Sequence, residues 1–181
     1  MPARGAVASR GAARSAVWLS RAALAAGLAL TALLVACANP DQIPPGTAAA
    51  DVVQTLGRPT GRYPLPEGGE RLQYSRQPAG QQVFNVDLDA GGRVVRVEQA
   101  LNETLFAQRI QPDRWTREDV LREYGPPAQT MGVHNFKGVI WLWRYADGPV
   151  WRLLYIDIDP GGVVRGYSVG DESLPDPPDP R

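Results

Sequence analysis

Cysteine occurs once in the 181 residues, at Cys37; histidine occurs once, at His134, and lysine once, at Lys137. A single thiol excludes an intramolecular disulfide, so packing alone must hold the fold. A lone histidine with no cysteine or second histidine nearby excludes the usual metal and nucleophile–base constellations. No glycine-rich phosphate loop opens a helix, and no serine stands in a nucleophile elbow. The sequence therefore predicts no catalytic residue, no metal ligands and no cofactor. The longest apolar run, Ala22 to Ala36, has 15 residues, short of the roughly 20 that span a bilayer. Charge of one sign is also missing: 19 basic residues face 19 acidic ones. Arg4, Arg10, Arg14 and Arg21 all precede Cys37 and no acid does, leaving 15 basic against 19 acidic residues from Cys37 onward, net −4. That balance argues against nucleic acid, which wants a basic face.

What is present at the N-terminus is a targeting pattern. Arginines precede the apolar run, and the run ends in Leu34-Val35-Ala36-Cys37. This resembles the lipobox of bacterial lipoproteins. The resemblance implies a signal peptide over 1–36, lipidation of the Cys37 thiol and anchoring by acyl chains. Ala38 stands where an aspartate would retain such a protein at the inner membrane, so the resemblance implies the outer membrane, on its periplasmic face. Residues 37–46 (C-A-N-P-D-Q-I-P-P-G) read as the lipidated cysteine and a proline-rich, extended tether.

Beyond the tether one pattern occurs twice. Asp51 to Pro59 reads D-V-V-Q-T-L-G-R-P and Asp119 to Pro127 reads D-V-L-R-E-Y-G-P-P, 68 residues apart. Val86 to Val95 (V-D-L-D-A-G-G-R-V-V) and Ile156 to Arg165 (I-D-I-D-P-G-G-V-V-R) follow at an offset of 70. Matched blocks at a near-constant offset predict a duplicated unit. We assign repeat 1 to 47–100, a joining helix with repeat 2 to 101–170, and a polar, proline-rich tail to 171–181.

Each repeat reads as one helix followed by a three-stranded antiparallel meander, giving an α+β fold. In repeat 1, Thr47 is the expected N-cap, Ala48 to Leu56 the helix and Gly57 its stop. Arg58 to Gly69 reads as a loop, and strands follow at Arg71–Arg76, Gln81–Asp89 and Arg93–Ala100. Asn102 is expected to cap a short joining helix. Thr116 to Tyr124 is the second main helix, with Thr116 and Asp119 in a capping box and Gly125 as its stop. Strands follow at Gly138–Ala146, Val150–Asp159 and Val163–Val169, with Asp147-Gly148 as a two-residue hairpin turn.

The threonine, the Asp-Val helix, the Gly-x-Pro stop, the aromatic strand and the Gly-Gly-x-Val turn together resemble the SmpA/OmlA (BamE) domain. The match runs over 47–100 and again over 116–169. Proteins of that family are small outer-membrane lipoproteins of the β-barrel assembly machinery. The tandem is similar in architecture to the β-lactamase inhibitor protein. The resemblance implies binding in place of catalysis.

Two weaker signals fall to simpler readings. Asp87-x-Asp89-x-Gly91 and Asp157-x-Asp159-x-Gly161 hint at calcium loops, but glycine occupies the fifth position in both. Strand alternation explains those aspartates as solvent-facing residues and turn starters. His134 reads as a surface residue.

The sharper signal is the difference between the repeats. The four tryptophans after Cys37 are Trp115, Trp141, Trp143 and Trp151, all in repeat 2 or its entrance. The Asp147-Gly148 turn sets Tyr145 opposite Val150 and Trp143 opposite Arg152. Trp141, Trp143 and Tyr145 then point to the helix. The other face carries Ile140, Leu142, Arg144, Trp151, Leu153 and Tyr155, with Arg144 able to lie over Trp151. Either a protein partner docks there or the rest of the chain covers it. The expected function is a membrane-anchored, non-catalytic protein-binding scaffold of outer-membrane assembly or envelope integrity. The alternative is an inhibitor-type module that occludes an enzyme with this face.

Overall fold

The structure, a computed structural model, describes residues 39–173. The expected signal peptide, Cys37 and the end of the tail lie outside the described residues. Among the described residues no helix is long and apolar enough to cross a membrane.

The first half opens with a 3-10 turn over Pro40–Gln42 and helix α1 (Ala49–Leu56). Gly57 ends α1 at φ 81°, ψ −165°, a region essentially reserved for glycine. Strands β1 (Gly61–Pro64), β2 (Glu70–Ser75), β3 (Val83–Leu88) and β4 (Val94–Gln99) form an antiparallel sheet in chain order. Leu72, Val86, Leu88 and Val94 share one sheet face, and Val52, with Val53, Leu56 and Ile43, packs on it.

Helix α2 (Glu103–Arg109) joins the halves, with the Asn102 side chain accepting from the Thr104 and Leu105 N–H groups. Helix α3 (Arg117–Tyr124) opens with the Thr116–Asp119 capping box and ends at Gly125, φ 70°, ψ −170°. Strands β5 (Gln129–Val133), β6 (Phe136–Asp147), β7 (Val150–Ile158) and β8 (Val164–Asp171) form the second antiparallel sheet. Trp143, Tyr145, Leu154, Ile156 and Ile158 face Phe106 of α2 and Val120 and Tyr124 of α3. Phe106 meets Tyr124 and Tyr145 edge-on at 5.7 and 5.3 Å between ring centroids, contacts worth about 0.5–1.5 kcal/mol each beyond area burial.

Small details repeat along with the elements. Ala48 bridges Arg93 as Thr116 bridges Val163. The Val94 N–H bonds the Thr47 carbonyl, and the Val164 N–H bonds the Trp115 carbonyl, both at 2.9 Å. The sheet register shifts at Asp87/Leu88 and again at Asp157/Ile158. Helix α3 lies between the two sheets: its apolar side packs on the second, and its last turn hydrogen-bonds to the face of the first that points away from α1.

Several sequence expectations change. Each sheet has four strands where three were expected. The additional strands, β1 and β5, lie at sheet edges, where proline and glycine are tolerated because only one side of the strand joins the ladder. The segment before α1 is not an extended tether: Pro40 is buried in its 3-10 turn and Ile43 packs on the first core. Ala48, not Thr47, is the N-cap of α1, and the Thr47 hydroxyl bonds the Pro44 carbonyl instead, at 2.7 Å. Strand β8 runs on to Asp171, and the Glu172 N–H bonds the Trp151 carbonyl at 2.9 Å, so the tail does not start at Asp171. The β6–β7 hairpin pairs Asp147 with Val150 and Tyr145 with Arg152. Its turn is Gly148-Pro149: Gly148 takes φ 58°, and the proline supplies the negative φ of a type II′ second position. The polar side of β3 is not solvated either: Asn85 and Asp87 are 1% and 5% exposed.

The two helix stops separate backbone strain from crowding. At Gly57 a Cβ would meet nothing within 4 Å, whereas at Gly125 it would run into the amide oxygen of the buried Gln73. Gly57→Ala is expected to cost about 1–3 kcal/mol from its φ alone. Gly125→Ala is expected to cost clearly more, and urea denaturation of the two variants measures the difference.

Candidate binding face of the second sheet

The two sheets offer equivalent outer faces with opposite chemistry. On the first, Arg71 reaches Asp87 at 2.7 Å and Glu123 of α3 at 2.6 Å, with all three side chains buried. Arg96, from β4, adds a second cation to Asp87 at 2.8 Å. Arg109 of α2 bridges Glu98 and Glu123. Gln73 donates to Asn85 Oδ1 at 3.1 Å and to the Arg122 carbonyl at 3.3 Å, and Asn85 donates to the Glu123 carbonyl at 2.8 Å. Burial pushes the Asp87 carboxyl up, but hydrogen bonds from Arg71 and Arg96 outweigh it and hold the group below its ordinary value. This face is a closed seam between the halves.

The outer face of the second sheet is where the sequence places its candidate residues, and the register brings all six together. Leu142 pairs with Tyr155, Arg144 with Leu153, and Ala146 with Trp151, while Ile140 lies beside Asp157. The turn falls one residue later than the sequence implies, which displaces the register by two residues and preserves the side each residue faces. Trp151 is 42% exposed and Leu142 only 7%; Ile140, Arg144, Leu153 and Tyr155 are half-buried. Arg144 lies over the Trp151 ring at 5.7 Å from its centroid, and its Nε donates to Glu172 at 2.6 Å. Trp141 belongs to the other face, beneath the Arg117 guanidinium at 5.7 Å. Cys37 lies outside the described residues.

Sequence reasoning missed three contributors to this face. Gln77, in the β2–β3 loop, accepts from the Arg144 N–H at 3.2 Å and donates to its carbonyl at 2.6 Å. Its amide stands in for the strand partner that β5 is too short to provide. Met131 of the overlooked β5 pairs with Ile140 and extends the face; the His134-Asn135 turn between Val133 and Phe136 was the signal for that hairpin. Glu172, which its proline-rich surroundings place in the tail, is held to the face by Arg144 and by the Trp151 carbonyl. The aspartates of the suspected calcium loops serve other ends: Asp89 Oδ1 accepts from the Gly91 and Arg93 N–H groups, and Asp159 Oδ1 from that of Val163, each at 2.9 Å. No cluster of metal-binding side chains occurs among the described residues.

No protein-family model and no curated protein matches the chain. Among solved structures, a DUF4309 family protein from Bacillus subtilis shares 13% identity over 70% of this chain and 79% of its own, with a TM-score of 0.29. An extracellular protein from Bacillus anthracis containing an SCP domain shares 13% identity over 72% of this chain and 50% of its own, with a TM-score of 0.27. Likenesses at these TM-scores carry no argument about fold or function.

The seam yields a stability prediction with a defined pH sense. Arg71→Met removes the cation that Asp87 and Glu123 share and leaves them Arg96 and Arg109 alone, and a loss of about 2 kcal/mol is expected. Arg96→Ala, at a half-exposed side chain, is expected to cost under about 1 kcal/mol. A carboxyl held low in the folded state stabilises it at pH above its ordinary value of 3.8, and that contribution is lost as pH falls through the lower folded value. Urea unfolding of the wild type is therefore expected to weaken below about pH 4, and Asp87→Asn to flatten that dependence.

Proposed function

We propose that this chain is a lipid-anchored periplasmic protein of the outer membrane, built of tandem SmpA/OmlA (BamE)-like units, that acts as a non-catalytic protein-binding scaffold. The observation that carries the reading is the outer face of the second sheet. It joins Ile140, Leu153, Tyr155 and Trp151 on one rigid surface, and its aromatic and arginine content is that of an interface core. The seam beneath α3 supports the reading by fixing that surface relative to the rest of the described chain. The lipobox-like run before Cys37 supports the anchor, and the partner fits a component of outer-membrane assembly or envelope maintenance.

A second reading has its own observation. Ala146 to Trp151, at the tip of the β6–β7 hairpin, are all exposed, as suits a hairpin that enters an enzyme cleft. An inhibitor of this kind would slow periplasmic or secreted hydrolases, which a panel assay with the purified protein measures.

The anchor and the face are tested separately. Cys37→Ala is expected to move the protein from the membrane pellet to the soluble periplasm on fractionation; retention in the pellet would sink the anchor. Photo-crosslinking in cells from position 151 or 153 is expected to give one dominant adduct, and the same probe at exposed Val95 of the first sheet is expected to give none.

A further inference from the structure

The sheets share one register, so their outer faces compare residue by residue. Arg71 pairs with Asp87 as Ile140 pairs with Asp157. Gln73 pairs with Asn85 as Leu142 pairs with Tyr155. On the far side, Asp87 pairs with Arg96 as Asp157 pairs with Gly166. The face that α3 covers in the first sheet thus recurs, uncovered by any described helix, in the second.

The carboxylate has been kept and both of its cations have gone. Asp87 has Arg71 and Arg96; Asp157 has Ile140 and Gly166 in their places. Asp157 is half-buried, and among the described residues it has no hydrogen bond or ion pair. Burial alone accounts for the upward shift of its carboxyl. A Cβ at position 166 would sit 3.5 Å from Asp157 Oδ2, so glycine leaves that flank of the carboxylate open. In the free protein this anion has only water as a partner on its open flank, and a cation arriving from outside would pair with it there.

Resting on the binding-face reading above, we propose that this face docks an amphipathic helix of a partner protein. An arginine or lysine of that helix pairs with Asp157, and its apolar stripe lies on the half-buried Ile140, Leu153 and Tyr155. A helix is the occupant because a helix covers the equivalent face of the first sheet. The cation is the one that Arg71 and Arg96 provide to Asp87. A second copy of this chain is a poor occupant. The helix it would offer in an equivalent stack is α1, whose exposed residues include Asp51, Gln54 and Thr55. That surface has no apolar stripe and repeats the charge of Asp157.

A displayed library of helical peptides, selected on the full chain, tests this. Selected peptides are expected to carry an apolar i, i+3, i+7 stripe with arginine or lysine at one fixed position. Asp157→Asn is expected to weaken them roughly 30-fold or more while leaving the melting temperature unchanged or higher. A fall in melting temperature would mean that Asp157 has a partner within the fold, and would overturn the proposal. Peptides that are lost on Leu153→Ser but lack a basic residue, or that bind Asp157→Asn equally well, overturn the proposal and leave the binding face standing. Peptides insensitive to Leu153→Ser, or no selected binder at all, overturn both. Self-association of the full chain that Leu153→Ser abolishes makes a second copy the occupant, and binding seen only after deletion of residues 174–181 makes the chain's own tail the occupant; either overturns the proposal.

Discussion

The last turn of α3 ends between two sheets, where water cannot satisfy its carbonyls. A helix leaves its last four carbonyls without partners inside the helix, and each one buried unmet costs about 1–3 kcal/mol. Here all four are met. The Leu121 carbonyl takes the Gly125 N–H at 2.8 Å. That of Arg122 takes Gln73 Nε2 and Arg71 Nη1, both at 3.3 Å. Glu123 takes Asn85 Nδ2 at 2.8 Å, and Tyr124 takes Trp143 Nε1 at 3.1 Å. Donors from one sheet and then the other close the list, so α3 is placed by directional bonds as well as by apolar contact. The Arg71 guanidinium also meets the negative end of the helix dipole. A sideways slip of either half would break several of these bonds together.

This requirement explains how two copies of one pattern came to differ. Tyr74 and Trp143 occupy equivalent positions, and each donates to a carbonyl at the end of its own helix, Gly57 and Tyr124 respectively. The inner faces thus kept one job. The outer faces did not. The first must bind a helix end, so it carries Arg71, Gln73 and Asn85. The second binds none within the described chain, and apolar residues stand at the matching positions. The joining segment belongs with the second half, since Leu101, Phe106 and Ile110 fill that core, and even Val83, from the outer side of the first sheet, reaches into it.

The elements legible in the sequence are those whose signals are local. The Asp89 and Asp159 turns declare themselves because one carboxylate accepts N–H groups two to four residues ahead. The Thr116–Asp119 box and the Asn102 cap work over the same short range. The candidate face survived a wrong turn assignment because side-chain direction depends only on parity. Signals that depend on distant partners stayed hidden. Asp87 alternates as a solvent residue should, yet the Arg71–Glu123 pair that buries this face spans 52 positions. Edge strands β1 and β5 look like loops because Pro64 and Gly132 are acceptable where one side of the strand is free. Gln77 has no local mark of its role, since its partner, Arg144, lies 67 residues on.

Stacked repeats usually end in units whose outer surface is polar, because the last face has no neighbour. This chain inverts that rule. Its internal outer face, shielded by α3, is built of arginine, glutamine, asparagine and aspartate, and its terminal outer face is built of isoleucine, leucine, tyrosine and tryptophan. An apolar face whose one carboxylate, Asp157, has no partner among the described residues differs from the polar cap that closes such a stack, which is what the proposed junction rests on. The polar residues spent on the seam were needed there because a helix terminus cannot be buried by grease alone. The apolar residues of the second outer face have no such task among the described residues, and that contrast is the ground on which a partner surface is proposed for them.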